Sequence, residues 1–313
     1  GVGNTANISV WMDASRLNLS NNDGVDLWKD ESGNNNNAEQ LLSSNQPTFL
    51  TNQLNGLPAI NFDGTNDHLE FFTNITADAT TIFMVNRSTS LNIRSAFVTE
   101  KHTVFSESNR ETAIYVSPEN YYRINRPINQ YSVFSMQTNA SSSSGNLELR
   151  NGAVVNSFTR TDFINRSVSS IGSRIGASGQ GLFYQGQIAE IIVFNEEINS
   201  AKRKIVSNYL AAKYNLTAEQ NLYAHKVSYG HEVIGLGQES DGSHNTARGN
   251  DSLEISNASS LANGDYLLVG NDDAGYSTST NVGPEASQRW CSPTANRPDS
   301  APQSSSQGPV ASS

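Results

Sequence analysis

Between Ile8 and Phe194 the chain is written almost entirely in short runs of β-branched and aromatic residues separated by Gly, Asn, Asp and Ser clusters. "TTIFMVN" (80–86), "SAFVTE" (95–100), "TAIYVS" (112–117), "YSVFSMQT" (131–138), "LELRNGAVV" (147–155) and "GQIAEIIVF" (186–194) are each long enough for one strand and too short for a typical helix. Repeated short strands with turn signals between them predict a sandwich or a barrel. Asn151-Gly152, between "LELR" and "AVV", is the strongest hairpin signal in the chain.

One segment departs from this period. In "NSAKRKIVSNYLAAKYNL" (199–216), Ala201, Ile205, Tyr209 and Lys213 form one stripe, with Val206, Leu210 and Tyr214 beside it, so a helix is predicted near 200–214. Ser200 is placed to cap it, and Ile205, Tyr209 and Leu210 are its docking stripe. Lys202, Arg203 and Lys204 in the first turn read as a solvated face, or as an anion site. Trp11 and Trp28 alternate with apolar or small neighbours and are assigned to the core.

After Leu216 the sequence becomes rich in Gly, Asp and Asn, with weaker strands at 231–237, 251–256 and 264–272. This predicts a second, smaller β module over 217–290. From Cys291 onward the Pro- and Ser-rich sequence has no apolar periodicity, and 291–313 is expected to be disordered. The start at Gly1 reads as a processed or excised fragment.

Composition narrows the functional classes. Charged residues make up 16% of the 313, the net charge is −10 and no Lys/Arg block could neutralise a run of phosphates, so no nucleic-acid partner is expected. The single cysteine excludes a disulfide framework and a Cys-rich zinc site. No apolar run approaches the roughly 20 residues of a membrane span, so no membrane insertion is expected. Gly176–Gln180 lacks the last glycine of a nucleophile elbow, and the five histidines are scattered. No closely alternating pair of carboxylates of the glycosidase kind is found, and no catalytic residues are assigned.

Two stretches carry binding chemistry. "ENYYRINRPINQY" (119–131) is the densest aromatic stretch, and Tyr121, Tyr122, Arg123 and Asn125 are the candidate ligand contacts, because aromatic faces stack on sugar rings while polar neighbours orient the hydroxyls. On a strand the adjacent tyrosines alternate, so at least one belongs to the core. "INFDGTNDHLEF" (60–71) has period-two alternation on both sides of an Asp-Gly pair and reads as a hairpin. Its turn has two readings. Gly64 lets it close with no ion; alternatively Asp63, Asn66 and Asp67, with a fourth ligand from Glu190, hold calcium, which takes six to eight oxygens. Glu190 shares a strand face with Ile188, Ile192 and Phe194, and if that face is buried it must be paired, hydrogen-bonded or metal-bound.

Residues 8–40, 47–49, 54–71 and 186–216 together resemble the laminin G-like, concanavalin A-like jelly-roll domains of secreted and surface proteins of bacteria, particularly of the Bacteroidetes type, over about residues 5–216. Residues 229–290 are similar to the small β module that often follows that domain. The resemblance implies an all-β, two-sheet antiparallel jelly-roll sandwich over 1–216 with one C-terminal helix. It implies a role in binding polysaccharide or another surface ligand, often with calcium, in an extracellular or cell-surface, adhesin-like protein. A polysaccharide-degrading enzyme on the same fold and a structural spacer are the alternatives.

Overall fold

The computed structural model describes residues 7–73, 75, 79–90, 92, 94–98, 103–107, 111–117, 120–125, 128–139, 146–158, 169–174, 181–248, 254–255 and 261–271; of residues 79, 103–107, 111–117, 120–125, 158, 248, 254 and 271 only the backbone is described. The strands in chain order are β1 (Ile8–Asp13), β2 (Leu27–Trp28), β3 (Ala38–Glu39), β4 (Thr48–Leu54), β5 (Leu57–Asp63), β6 (Leu69–Phe71), β7 (Ala79–Ser88) and β8 (Arg94–Val98). Then come β9 (Thr103–Glu107), β10 (Glu111–Ser117), β11 (Asn120–Asn125), β12 (Ser132–Asn139), β13 (Asn146–Arg150), β14 (Ala153–Phe158), β15 (Ser170–Ile171) and β16 (Gln185–Phe194). Helices α1 (Ser200–Lys213) and α2 (Lys226–Tyr229) precede β17 (His231–Glu239), β18 (Gly242–His244), β19 (Ala247–Arg248), β20 (Glu254–Ile255) and β21 (Tyr266–Asn271).

Two eight-stranded antiparallel sheets make the sandwich. The first runs β14-β13-β12-β7-β16-β5-β4, with β1 also paired to β16; the second runs β11-β10-β9-β8-β15-β6-β3-β2. Between the sheets lies an apolar core that includes Met12, Trp28, Ile60, Phe62, Leu69, Phe97 and Val193. A second cluster covers the opposite face of the first sheet, where Trp11, Phe83, Val85 and Phe194 meet Tyr209, Leu210 and Tyr214 of α1. The first sheet is therefore covered on both faces, which is why β16 reads as a nearly continuous apolar run rather than an alternating one.

Most sequence-level assignments survive contact with the structure. The six predicted strands are present, Ile205, Tyr209 and Leu210 are buried on α1, and Trp11 and Trp28 are core residues. Asn151 and Gly152 join β13 to β14 with positive φ at both positions, as a two-residue hairpin turn requires. Three details differ. Residues 60–71 are not a hairpin: β5 belongs to the first sheet and β6 to the second, so Asp63–Asp67 is the corner where the chain crosses between sheets. Helix α1 is capped by Asn199, whose side chain accepts from the Lys202 N–H at 2.9 Å, while Ser200 donates to Asp241. The first-turn cations are not a solvated face either. Lys202 pairs with Glu196, Lys204 with Glu239 and Arg203 with Asp241, because β17 and β18 lie against this end of the helix.

The three-stranded sheet β18-β17-β21 docks on α1, and Val233 and Leu268 enter the same apolar cluster as Tyr209 and Leu210. The approach is close at Gly235, where a Cβ would stand 3.0 Å from the Leu268 side chain and 3.4 Å from that of Ile205. Among the described residues no helix is long and apolar enough to cross a membrane.

Two stability measurements follow from this packing. Asn199→Ala removes the cap and the bond from Asn199 Nδ2 to the Ser243 carbonyl at 2.9 Å, and should cost about 1 kcal/mol, lowering the melting temperature by roughly 2–4 °C. Glu148 on β13 lies opposite Met136, fully buried with both carboxylate oxygens unbonded, and burial pushes its pKa up to about 8. A carboxyl whose folded pKa is raised adds stability below its ordinary 4.5 and loses it as pH rises through about 8. Glu148→Gln should therefore gain on the wild type in thermal melts as the buffer moves from about pH 5 to about pH 9.

Candidate functional site

Strand β16 carries a bulge at Ala189: Ile188 lies opposite Asn86 and Glu190 opposite the adjacent Val85. The extra residue shifts the phase of the strand, so Ile188 faces the inter-sheet core while Ile192 and Phe194 face α1. Glu190 consequently shares its face with Ile192 and Phe194 but not with Ile188, and it meets a ring of donors. Its Oε1 accepts from Trp11 Nε1 at 2.8 Å and from the Tyr209 hydroxyl at 3.0 Å; its Oε2 accepts from Lys213 Nζ at 2.8 Å and the Tyr214 hydroxyl at 2.9 Å. Lys213 Nζ also donates to Asp13 Oδ2 at 2.6 Å.

Every charged group in this ring is buried, so its balance matters. Desolvation alone would raise the Asp13 carboxyl, but the ammonium of Lys213 and hydrogen bonds from Lys213 and Ser15 hold it below the ordinary 3.8. Desolvation would likewise lower Lys213, but Asp13 and Glu190 hold it well above 10.5. No bond to a ligand is left for Glu190 to make, and the ring is a structural clasp between β1, β16 and α1.

The clasp predicts a flat stability plateau at neutral pH. Asp13's contribution falls away as pH drops below about 4, and Lys213's as pH rises above about 10.5. Lys213→Met removes the ammonium shared by the two carboxylates, leaving Asp13 the more distant Arg16 guanidinium at 3.8 Å, and should cost about 3–5 kcal/mol, on the order of 10 °C in melting temperature. Adding Asp13→Asn and Glu190→Gln to that variant should recover part of the loss.

The corner at Asp63–Asp67 is closed by its own backbone. Asp63 Oδ1 accepts from the N–H groups of Thr65 at 2.7 Å, Asn66 at 3.3 Å and Asp67 at 3.5 Å, and Asp67 Oδ2 accepts from the Asp63 N–H at 2.9 Å. Asn66 turns its amide nitrogen to the Ser44 carbonyl and to Asn45 Oδ1. β16 does run beside this corner, but it is Gln185 that lies opposite Asp63. Glu190 sits five residues further along, roughly 16 Å at 3.3 Å per residue, and inside the clasp. The four residues expected to hold calcium therefore do not form one site, and among the described residues no group of three or more His, Cys, Asp or Glu is placed to hold a metal. Burial, reinforced by the neighbouring Asp63, pushes the Asp67 carboxyl up to about 6. Melting curves in excess calcium and in excess chelator should superimpose within about 1 °C; a site filled at a hundred times its dissociation constant would add about 2.7 kcal/mol.

Of the aromatic stretch, Tyr121, Tyr122, Arg123 and Asn125 lie on β11, the last strand of the second sheet. They stand opposite Tyr115, Ile114, Ala113 and Glu111 of β10. Their side chains lie outside the described residues.

A shallow, open concavity lies on the second sheet, next to the corner. It has a volume of about 500 Å3 and is lined by Glu39, Gln40, Leu41, Asn45, His68, Glu70, Phe71 and Phe72. Ala38, Leu69 and Phe71 belong to the inter-sheet core, so Glu39 and Glu70 point the other way, outward, where they are directly opposed across β3 and β6. His68 is set between the two turns: its Nδ1 bonds the Asn66 carbonyl at 2.8 Å and its Nε2 lies 3.0 Å from Gln40 Nε2. A carbonyl only accepts, so Nδ1 carries the proton and Nε2 accepts from the amide. Phe72 is 53% exposed and Leu41 82%, both large apolar side chains held out at the rim. Along α1 lies a smaller groove of about 280 Å3 containing Arg203 and Lys204, but both cations are engaged by carboxylates, so the anion-site expectation gains nothing there.

Sequence reasoning missed this concavity because its two halves come from separate segments, 39–45 and 68–72. One signal was available: in "LEFF", Phe71 and Phe72 are adjacent, so one of them must leave the core.

No protein-family model and no curated protein sequence matches the chain. Among solved structures it is similar to domain 4 of AbnA, a GH43 extracellular arabinanase from Geobacillus stearothermophilus, in complex with arabinotriose, at 10% identity and a TM-score of 0.47 over 63% of this chain and 96% of that one. It is also similar to the Botulinum neurotoxin serotype D ligand binding domain in complex with N-acetylneuraminic acid, at 12% identity and 0.48 over 85% of this chain and 66% of that one. A third likeness is to Trypanosoma rangeli sialidase in complex with sialic acid, at 10% and 0.45, over 69% of this chain but only 34% of the sialidase. At such scores function is read from the chain's own residues.

Proposed function

We propose that the chain is a carbohydrate-binding module, of the laminin G-like kind, from a secreted or cell-surface protein, and that it takes glycan on the outer face of the second sheet. The observation that carries this reading is the concavity of Glu39, Gln40, Asn45, His68 and Glu70 with Phe72 exposed at its edge. An aromatic face offers stacking area to the apolar side of a sugar ring, and carboxylate, amide and imidazole groups bond its hydroxyls. No catalytic step is assigned, and polysaccharides incubated with the protein should show neither new reducing ends nor new absorbance at about 235 nm.

The second reading keeps Tyr121, Tyr122, Arg123 and Asn125 as the ligand contacts. It is favoured by their place on β11, which among the described strands is paired on one side only. Affinity electrophoresis through gels containing plant, algal or aminosugar polysaccharides separates the two. Retardation by at least one glycan should weaken about tenfold or more in Phe72→Ala, the equivalent of about 1.4 kcal/mol, and be unchanged in Tyr122→Ala. The reverse pattern would move the site to β11. Absence of retardation by every glycan would leave the spacer role.

A further inference from the structure

The glycan reading leaves the class of sugar open, and the charges around the concavity narrow it. No lysine or arginine lines it. Glu39 and Glu70 are cross-strand partners on neighbouring strands, which puts their Cβ atoms about 5 Å apart. Such like charges repel unless a cation lies between them. Of the lining residues the basic one is His68, whose Nε2 lies 3.6 Å from a Glu70 oxygen and 3.0 Å from the Gln40 amide nitrogen. No hydrogen bond or ion pair reaches Glu39 among the described residues. Glu39 and Glu70 thus stand side by side on the outer face, the Glu70 side chain 46% exposed, beside the exposed apolar side chains of Phe72 and Leu41.

We propose that the concavity selects a glycan carrying free amino groups, a glucosamine-type polymer, over neutral sugars and over uronate-, sulfate- or sialate-bearing ones. This rests on the glycan-binding reading and on the same site. In the bound state one sugar ring lies against Phe72 and Leu41, its ammonium bridges Glu39 and Glu70, and Gln40 and Asn45 bond ring hydroxyls. The exposed Phe72 and Leu41, not the two carboxylates alone, are what favour a sugar over a simple cation. An anionic sugar would bring a third negative charge to the pair in a chain whose net charge is already −10.

The test is affinity electrophoresis and calorimetry at about pH 6 with glucosamine oligomers, their N-acetylated equivalents, polygalacturonate and polylysine. Glucosamine oligomers should bind at least tenfold more tightly than the acetylated ones, and polygalacturonate should not bind. The affinity should fall in about 0.5 M sodium chloride, where the Debye length is only a few ångströms. Glu39→Gln and Glu70→Gln should each lower glucosamine binding about tenfold without lowering the melting temperature, since each relieves the repulsion. Phe72→Ala should weaken both oligomers. Equal binding of acetylated and free oligomers, lost in Phe72→Ala but kept in both Glu variants, would sustain the glycan site and overturn its preference for amines. Glucosamine binding unaffected by either Glu variant, or polylysine bound as tightly as the sugar, would overturn the preference as general attraction to an acidic protein. No oligomer bound at all would overturn the glycan reading itself.

Discussion

The ion cluster of Asp13, Glu190 and Lys213 joins three elements that lie as much as 200 residues apart in the chain. β1 pairs with the second half of β16, and Lys213 of α1 lies between one carboxylate from each of these strands. Buried ion pairs add little stability over an apolar replacement of the same shape, but removing one partner is costly. What such a cluster specifies is geometry. Trp11, Tyr209 and Tyr214 each spend their one polar hydrogen on Glu190, which fixes the rotation of the helix about its own axis.

That choice has consequences for where function can lie. With α1 on one face and the second sheet on the other, the first sheet has an apolar cluster on each of its faces. Beyond α1, the three-stranded sheet of β17, β18 and β21 covers the helix in turn, Arg203 and Lys204 pair with Asp241 and Glu239 there, and Lys202 is taken by Glu196. The concavity between β3 and β6 opens on the outer face of the second sheet. Its floor inherits rigidity from the core directly beneath, where Ala38, Leu69 and Phe71 pack. His68 and Gln40 bind the two contributing turns to each other.

Much of this was legible in the chain because burial on one face leaves a period. The six longer strand-like runs, the helix stripe and the Asn151-Gly152 turn follow from alternation, helical spacing and positive φ. What was not legible depends on which sheet a strand joins. Alternating residues on either side of Asp63-Gly64 look the same for a hairpin and for a corner between two sheets. The bulge at Ala189 breaks the period within a mostly apolar run, so Ile188, expected on the face of Glu190, lies on the opposite one. Asn199 and Ser200 are both good caps, and only the approach of Asp241 decides between them. The concavity depends on a pairing of residues 39 and 70 that no local pattern announces.

The claim that binds these observations together is that the ligand sits over β3 and β6. Amide chemical-shift mapping of the isotope-labelled protein, titrated with a glucosamine oligomer, tests it directly. The account predicts that the shifting amides fall within Glu39–Asn45 and Asn66–Phe72, with the strands of the first sheet and α1 unmoved. Shifts confined to Asn120–Asn125 and its neighbours on β10, or to the groove along α1, would contradict it.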